Sequence, residues 1–242
     1  MKITGLLPWG GSKRTLAARI VEQLGHHRSY FEPFCGSMAV LLEKEPATME
    51  TVNDLHAGLI NLARHLQNPA TWPKLHERLI RTVPAQGLWR DAAEVIKQVP
   101  FEATWERAYY FFVFSWLGRN GVAGTNGGVN FCVRYTSGGG SPGTRLKSAV
   151  DSIPEWVERL RSVVVLNEDG FDMLERIEDR YETVIYADPP YIEKGFEYIH
   201  DFAPGDHARL ATLLSRFKKT RVVVSYYEHQ DLAALYPGWT KL

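Results

Sequence analysis

Val184-Ile185-Tyr186-Ala187-Asp188-Pro189-Pro190-Tyr191 is the stretch on which the fold turns. Its first four residues are an apolar, β-branched run that reads as a buried strand. Two prolines cannot continue a strand, because each lacks an N–H and has a fixed φ. The chain must turn there. Asp188 and Tyr191 are then left at the strand's carboxyl end, where open α/β sheets bind ligands. A carboxylate, exposed carbonyls and an aromatic face together suit a planar molecule that carries an amino group, such as a nucleobase.

Outward from this junction, strands and helices alternate at both ends of the chain. On the amino-terminal side, Ser29–Phe34 and Thr48–Asn53 read as strands. Between and around them, the stretch up to Leu24, Met38–Lys44 and Leu55–Leu66 read as helices. On the carboxyl side, Val163–Leu166 and Arg221–Ser225 read as strands. Phe171–Ile177, Asp206–Phe217 and Gln230–Leu235 read as helices. The pattern predicts a three-layer α/β sandwich. Residues 70–117 instead keep helical spacing throughout, with openings near Thr71 and Gln86. They end in Ala103–Leu117, which is apolar nearly all round and so should be core rather than a base-stacking surface. Gly118–Gly143 is dense in glycine, around an alternating run Val129–Tyr135 that suggests a hairpin. A helix should follow from Arg145 to about Leu160. The division predicted is a catalytic domain over 1–68 and 148–242, with an inserted region over 69–147.

A chain of 242 residues can bury a full core. Lys+Arg and Asp+Glu both total 28, so net charge points to no partner. Charge is uneven locally, however. From Arg119 to Val150 there are Arg119, Arg134, Arg145 and Lys147 and no acidic residue, an island able to touch phosphates. Cys35 and Cys132 stand far apart and offer neither a disulfide framework nor a zinc pattern. An intracellular, cytoplasmic setting is expected, with no membrane partner. The histidines have no metal-ligand spacing. Gly10-Gly11-Ser12-Lys13 lacks the spacing of a phosphate-binding P-loop. No serine sits in a nucleophile elbow.

Three further places have site-like chemistry. Pro33-Phe34-Cys35-Gly36-Ser37 lies at a strand-to-helix turn, where a glycine lets the backbone approach a ligand closely. Asp54 ends the next strand, at a position where an acid either binds ribose hydroxyls or caps the following helix. Asp169-Gly170-Phe171 follows a third strand. It can hold an adenine ring or simply be a helix cap followed by a core phenylalanine.

In order along the chain, Trp9-Gly10-Gly11-Ser12-Lys13, Glu32-Pro33-Phe34-Cys35-Gly36-Ser37, Asn53-Asp54 and Asp188-Pro189-Pro190-Tyr191 resemble the Dam-like (D12 class) DNA adenine-N6 methyltransferases. The likeness runs from about residue 6 to residue 236. It implies a Rossmann-like methyltransferase sandwich with S-adenosylmethionine as cofactor and double-stranded DNA as partner. It implies that Trp9, Gly10, Gly11 and Lys13 meet the methionine end of the cofactor. Pro33, Phe34, Cys35, Gly36 and Ser37 would wall its pocket, Asp54 would bind the ribose, and Asp169 and Phe171 would bracket its adenine. Asp188 would border the cofactor too. Asp188, Pro189, Pro190 and Tyr191 would receive a flipped-out adenine, and Arg119, Asn120, Arg134, Tyr135, Arg145 and Lys147 would meet DNA. Two local departures stand out: Ser12 intervenes before Lys13, and Gly170 separates Asp169 from Phe171. A third departure is expected at the end: members of the family normally add a final antiparallel hairpin, and the sequence stops at Leu242, soon after what reads as the start of another strand. Cytosine-N4 transfer, transfer to adenine in RNA, and a DNA-binding relative without activity are the alternative readings of the same residues.

Overall fold

The computed structural model describes residues 5–119, 130–133, 141–193 and 199–242. Its centre is a five-stranded, wholly parallel sheet of β1 (Ser29–Glu32), β2 (Met49–Asn53), β3 (Val163–Leu166), β4 (Thr183–Ala187) and β5 (Arg221–Val224), in the order β3-β2-β1-β4-β5. The strand of the opening octapeptide, β4, is buried along its whole length, as expected of an interior parallel strand covered on both faces. Alternate residues feed two cores. Tyr30, Val52, Val163, Val165, Val184 and Tyr186 pack on one face. Phe31, Ile185, Ala187, Val222 and Val224 pack on the other.

The first face is covered by α1 (Ala17–Leu24), α2 (Ala39–Glu43), α3 (Ala57–Gln67) and the helices of the long β2-to-β3 connection. Those helices are α4 (Trp72–Ile80), α5 (Gln86–Lys97), α6 (Trp105–Leu117) and α7 (Pro142–Leu160). The second face is covered by α8 (Gly170–Arg176), α9 (Asp206–Ser215) and α10 (Leu232–Leu235). This is the three-layer, Rossmann-like arrangement the alternation predicts.

Caps explain several boundaries. Thr104 opens α6 by accepting from the Arg107 N–H, and Ser141 caps α7, whose first residue, Pro142, lies three residues before Arg145. α6 is core, as its all-round apolarity requires: Phe112, Val113, Trp116 and Leu117 are almost wholly buried. α7 runs unbroken through positions 147 and 148, and α4 to α7 share one core with the sheet. Of the expected hairpin around Val129–Tyr135, the described part is one antiparallel bridge between Gly118 and Phe131. The Arg119 N–H donates to the Asn130 carbonyl beside it at 2.9 Å. Val129, Arg134 and Tyr135 lie outside the described residues, as does Asn120. Among the described residues, no helix is long and apolar enough to cross a membrane.

Candidate active site

Strand order reverses between β1 and β4, because the chain adds β2 and β3 on one side of β1 and then β4 and β5 on the other. Neighbouring connections therefore leave the sheet in opposite directions, and a crevice opens beyond the carboxyl ends of these two strands. The turns that follow them are Pro33–Ser37 and Asp188–Tyr191. Pro33–Ser37 of the first turn and Asp188 and Pro190 of the second line an open cleft bounding about 1030 Å³, solvent at its mouth included, while Tyr191 is buried and meets the cleft through Asp188.

Asn53 holds this end of the sheet together. It is fully buried at the end of β2. Its Nδ2 donates to the carbonyls of Pro33 (2.9 Å) and Glu168 (3.0 Å), and its Oδ1 accepts from the Glu168 N–H (3.0 Å). One side chain thus fixes the exits of β1, β2 and β3. Asp54, next in sequence, does not cap α3; His56 does, by accepting from the Leu59 N–H through Nδ1. Asp54 instead accepts from the N–H of Gly36 (Oδ2, 2.9 Å) and of His56 (Oδ1, 2.9 Å). Burial raises its pKa above the ordinary value, and those two bonds act against the rise.

The glycine turn is shaped by its neighbours. Gly36 has φ +45°, and a Cβ there would lie 3.0 Å from the Trp9 indole. Ser12, the residue that intervenes before Lys13, meets Ser37 (Oγ to Oγ, 2.8 Å) and so ties the first loop to the turn. On the far wall, Phe34 and Phe171 meet edge to face, with centroids 6.4 Å apart, and Phe202 stacks on Phe171 at 5.4 Å. Gly170 has a direct reason. A Cβ there would fall 2.4 Å from Phe34 Cε1, so only glycine allows α8 to approach β1's exit this closely. Asp169 caps α8 by accepting from the Phe171 N–H at 2.8 Å, while both residues still line the cleft.

At the cleft's other end, Lys13 donates to Asp188 Oδ2 (2.7 Å) and to the Gly11 carbonyl (2.7 Å). Its ammonium also lies 4.8 Å from the Tyr191 ring centroid. The Tyr191 hydroxyl donates to Asp188 Oδ1 at 3.2 Å. Both carboxylate oxygens are thus held, and each keeps a lone pair for another donor. Burial raises the Asp188 pKa, and the Lys13 charge and hydrogen bond pull it back. A family model for D12 class N6 adenine-specific DNA methyltransferases matches residues 9–240. The chain belongs to that family. No curated protein matches it.

This D12 methyltransferase carries cleft residues to which motif reading gives no role. Glu32 is buried at the end of β1 and accepts from the Tyr30 hydroxyl at 2.8 Å. Burial pushes its pKa up to about 8; the Tyr30 bond opposes the rise and the Asp188 charge adds to it. His56 stacks on Phe111 of α6 (5.2 Å) and faces Trp9 edge-on (5.2 Å). Burial, with His200 nearby, depresses its pKa to about 4. Phe202 and His200 had no sequence signal, since neither belongs to a motif or a periodic face. Of the basic island, Arg119 is exposed and Arg145 half-buried. Lys147 pairs with Asp151 at 2.6 Å, an acid just beyond the island's end.

Proposed function

We propose that this chain is a site-specific, S-adenosylmethionine-dependent enzyme that methylates N6 of an adenine flipped out of double-stranded DNA. The observation that carries the reading is the junction of two half-sites at the strand reversal. A glycine turn with a buried acid lies on one side, and Asp188, hydrogen-bonded by Tyr191, on the other. The donor set fits the cofactor. Gly36 lets the Trp9 indole close on the turn, Asp54 offers an acceptor for ribose hydroxyls, and Phe34 and Phe171 offer apolar faces to an adenine. Trp9, Gly10 and Gly11 would border its methionine end, with Lys13 and Asp188 at the boundary between the two half-sites. Bound there, S-adenosylmethionine supplies an electrophilic methyl group on a sulfonium.

The protein's own residues do the rest. A flipped adenine loses stacking and pairing worth a few kcal/mol, on the order of what one aromatic ring returns (about 1–3 kcal/mol). Tyr191 would provide that ring. Asp188 and the Pro189 carbonyl would accept the two N6–H bonds, leaving the nitrogen lone pair less delocalised and more nucleophilic. The positive charge that grows on N6 would then face a carboxylate already fixed by Lys13 and Tyr191. A covalent enzyme–base adduct has no part in this. Cys35 is buried, and burial pushes its thiol pKa well up, so the thiolate is disfavoured. Residues 1–68 and 148–242 would hold cofactor and base, and 69–147 would recognise the DNA, with Arg119 and Arg145 on its described surface.

The test is Asp188→Ala, assayed with tritiated methyl donor on DNA and followed by mass spectrometry of the nucleosides. Methylated adenine from the wild type is expected, with at least a thousandfold loss in the variant on the order of a missing charge-stabilising group. Wild-type turnover by Asp188→Ala would reject the mechanism. N4-methylcytosine as the product would reject the substrate.

A further inference from the structure

Arg14 follows the lysine that holds Asp188, yet among the described residues its guanidinium has no hydrogen bond and no carboxylate partner. Its stem packs on the chain at Gly5, where a Cβ would lie 3.0 Å from Arg14 Cδ. The next residue, Leu6, accepts a hydrogen bond through its carbonyl from the Trp116 indole at 3.2 Å. Over that same indole, 5.9 Å from the ring centroid, lies the guanidinium of Arg145 in the first turn of α7. Arg14 and Arg145 therefore flank one short piece of chain, both half-buried. Burial, and then the charge of Arg145, lower the Arg14 pKa. Two cations brought together without an anion are costly, and the cost is relieved when an anion bridges them. A guanidinium offers a planar fork of donors that matches phosphate.

We propose that Arg14 and Arg145 form a clamp for one DNA phosphodiester, set beside the pocket for the flipped base. The inference rests on the DNA-methyltransferase reading and adds to it a place where the backbone of the target strand is gripped. Its position follows from the chain, since Arg14 is one residue from the Lys13–Asp188 pair. A clamp there would fix the register of the strand, while base recognition lies elsewhere.

The experiment is a salt titration of affinity for a fluorescently labelled duplex, using wild type, Arg14→Gln, Arg145→Gln and the double variant. The wild type should show log Kd rising with log salt. Arg14→Gln should weaken binding about tenfold, the effect of one lost charge-assisted contact, and should flatten the slope. Because both side chains serve one phosphate, the double variant should lose about 0.9 of slope in total, the value for a single neutralised phosphate. An unchanged slope in Arg14→Gln overturns the clamp, and so do two fully additive losses. Calorimetry with S-adenosylmethionine separates the other anion available, the carboxylate of the cofactor. Cofactor affinity lost with the slope retained would overturn the proposal in favour of that carboxylate. If Arg14→Gln does not fold, Arg14→Lys, which keeps the charge and loses the fork, should keep the slope and still bind more weakly; wild-type affinity in it overturns the clamp. Salt-independent binding by the wild type would instead reject the underlying DNA reading, a result distinct from all of these.

Discussion

At Asp188 two effects oppose each other: burial favours the neutral acid, and Lys13 favours the carboxylate. In the proposed role Asp188 serves best ionised, because only the carboxylate offsets the positive charge growing on N6, and Lys13 would then act through Asp188 as a positioning and charging group. Lys13→Met removes the opposing effect, and the Asp188 pKa then rises further. The acid limb of the kcat–pH profile should move to higher pH, with Lys13→Arg restoring much of it. A profile that keeps its wild-type midpoint in Lys13→Met would show that Asp188 does not depend on this lysine. Glu32 allows a second measurement at this scale, on stability. Its folded-state pKa of about 8 lies above its ordinary value of 4.5. Between those values the folded protein keeps a proton that the unfolded chain loses, so this group's contribution falls as pH rises through the window. Glu32→Gln is fixed neutral. Its stability advantage over wild type in urea unfolding should therefore grow from about pH 5 to about pH 8 and then level off. Asp188 was legible in the sequence because a strand and two prolines define its place locally. Its partner was not, since Lys13 reaches it across a separation of 175 residues.

Among elements, α2, β2 and α7 are joined by one buried carboxylate. Glu50 accepts from Lys44 (Oε1, 2.5 Å) and from both terminal nitrogens of Arg159 (2.5 and 2.8 Å). Burial alone would raise the Glu50 pKa, and the bonds from Arg159 and Lys44 hold it below the ordinary value. Glu50→Ala leaves two cations without their counter-charge, and should cost about 3–5 kcal/mol in a denaturant titration. A loss within the range of a surface substitution would mean that water reaches and solvates both cations. Gly170→Ala tests how α8 meets β1. The added methyl group must displace the Phe34 ring, at roughly 1–3 kcal/mol, and should weaken cofactor binding through Phe34. Element positions were mostly legible, for Val163–Leu166 matches β3 residue for residue. Their ends were less so, because caps decide them. α8 begins at Gly170, one residue early, since Asp169 takes the Phe171 N–H. The motif's extra glycine became intelligible only when Phe34 was seen against it.

For the molecule as a whole, alternation of strands and helices predicted the three layers but could not order the sheet. Order depends on which strand edges meet, and β1 pairs with β4 across some 150 residues of intervening chain that include seven helices. That pairing creates the crevice, so the motifs were legible singly while their convergence was not. Because the cleft joins two half-sites, binding and chemistry should separate by variant. Saturating S-adenosylmethionine, at about 100 times its Kd, should stabilise the fold by about 2.7 kcal/mol. At roughly 2–4 °C per kcal/mol for a chain of this size, the melting temperature should rise by about 5–11 °C. Asp54→Ala should lose most of that rise, since the acceptor expected for the ribose is gone. Tyr191→Ala should keep most of it while losing methyl transfer to DNA, because the proposed reading gives its ring to the base. Equal loss of the rise in both variants would mean that the two halves of the cleft form a single site, and the division of roles at the strand reversal would fall.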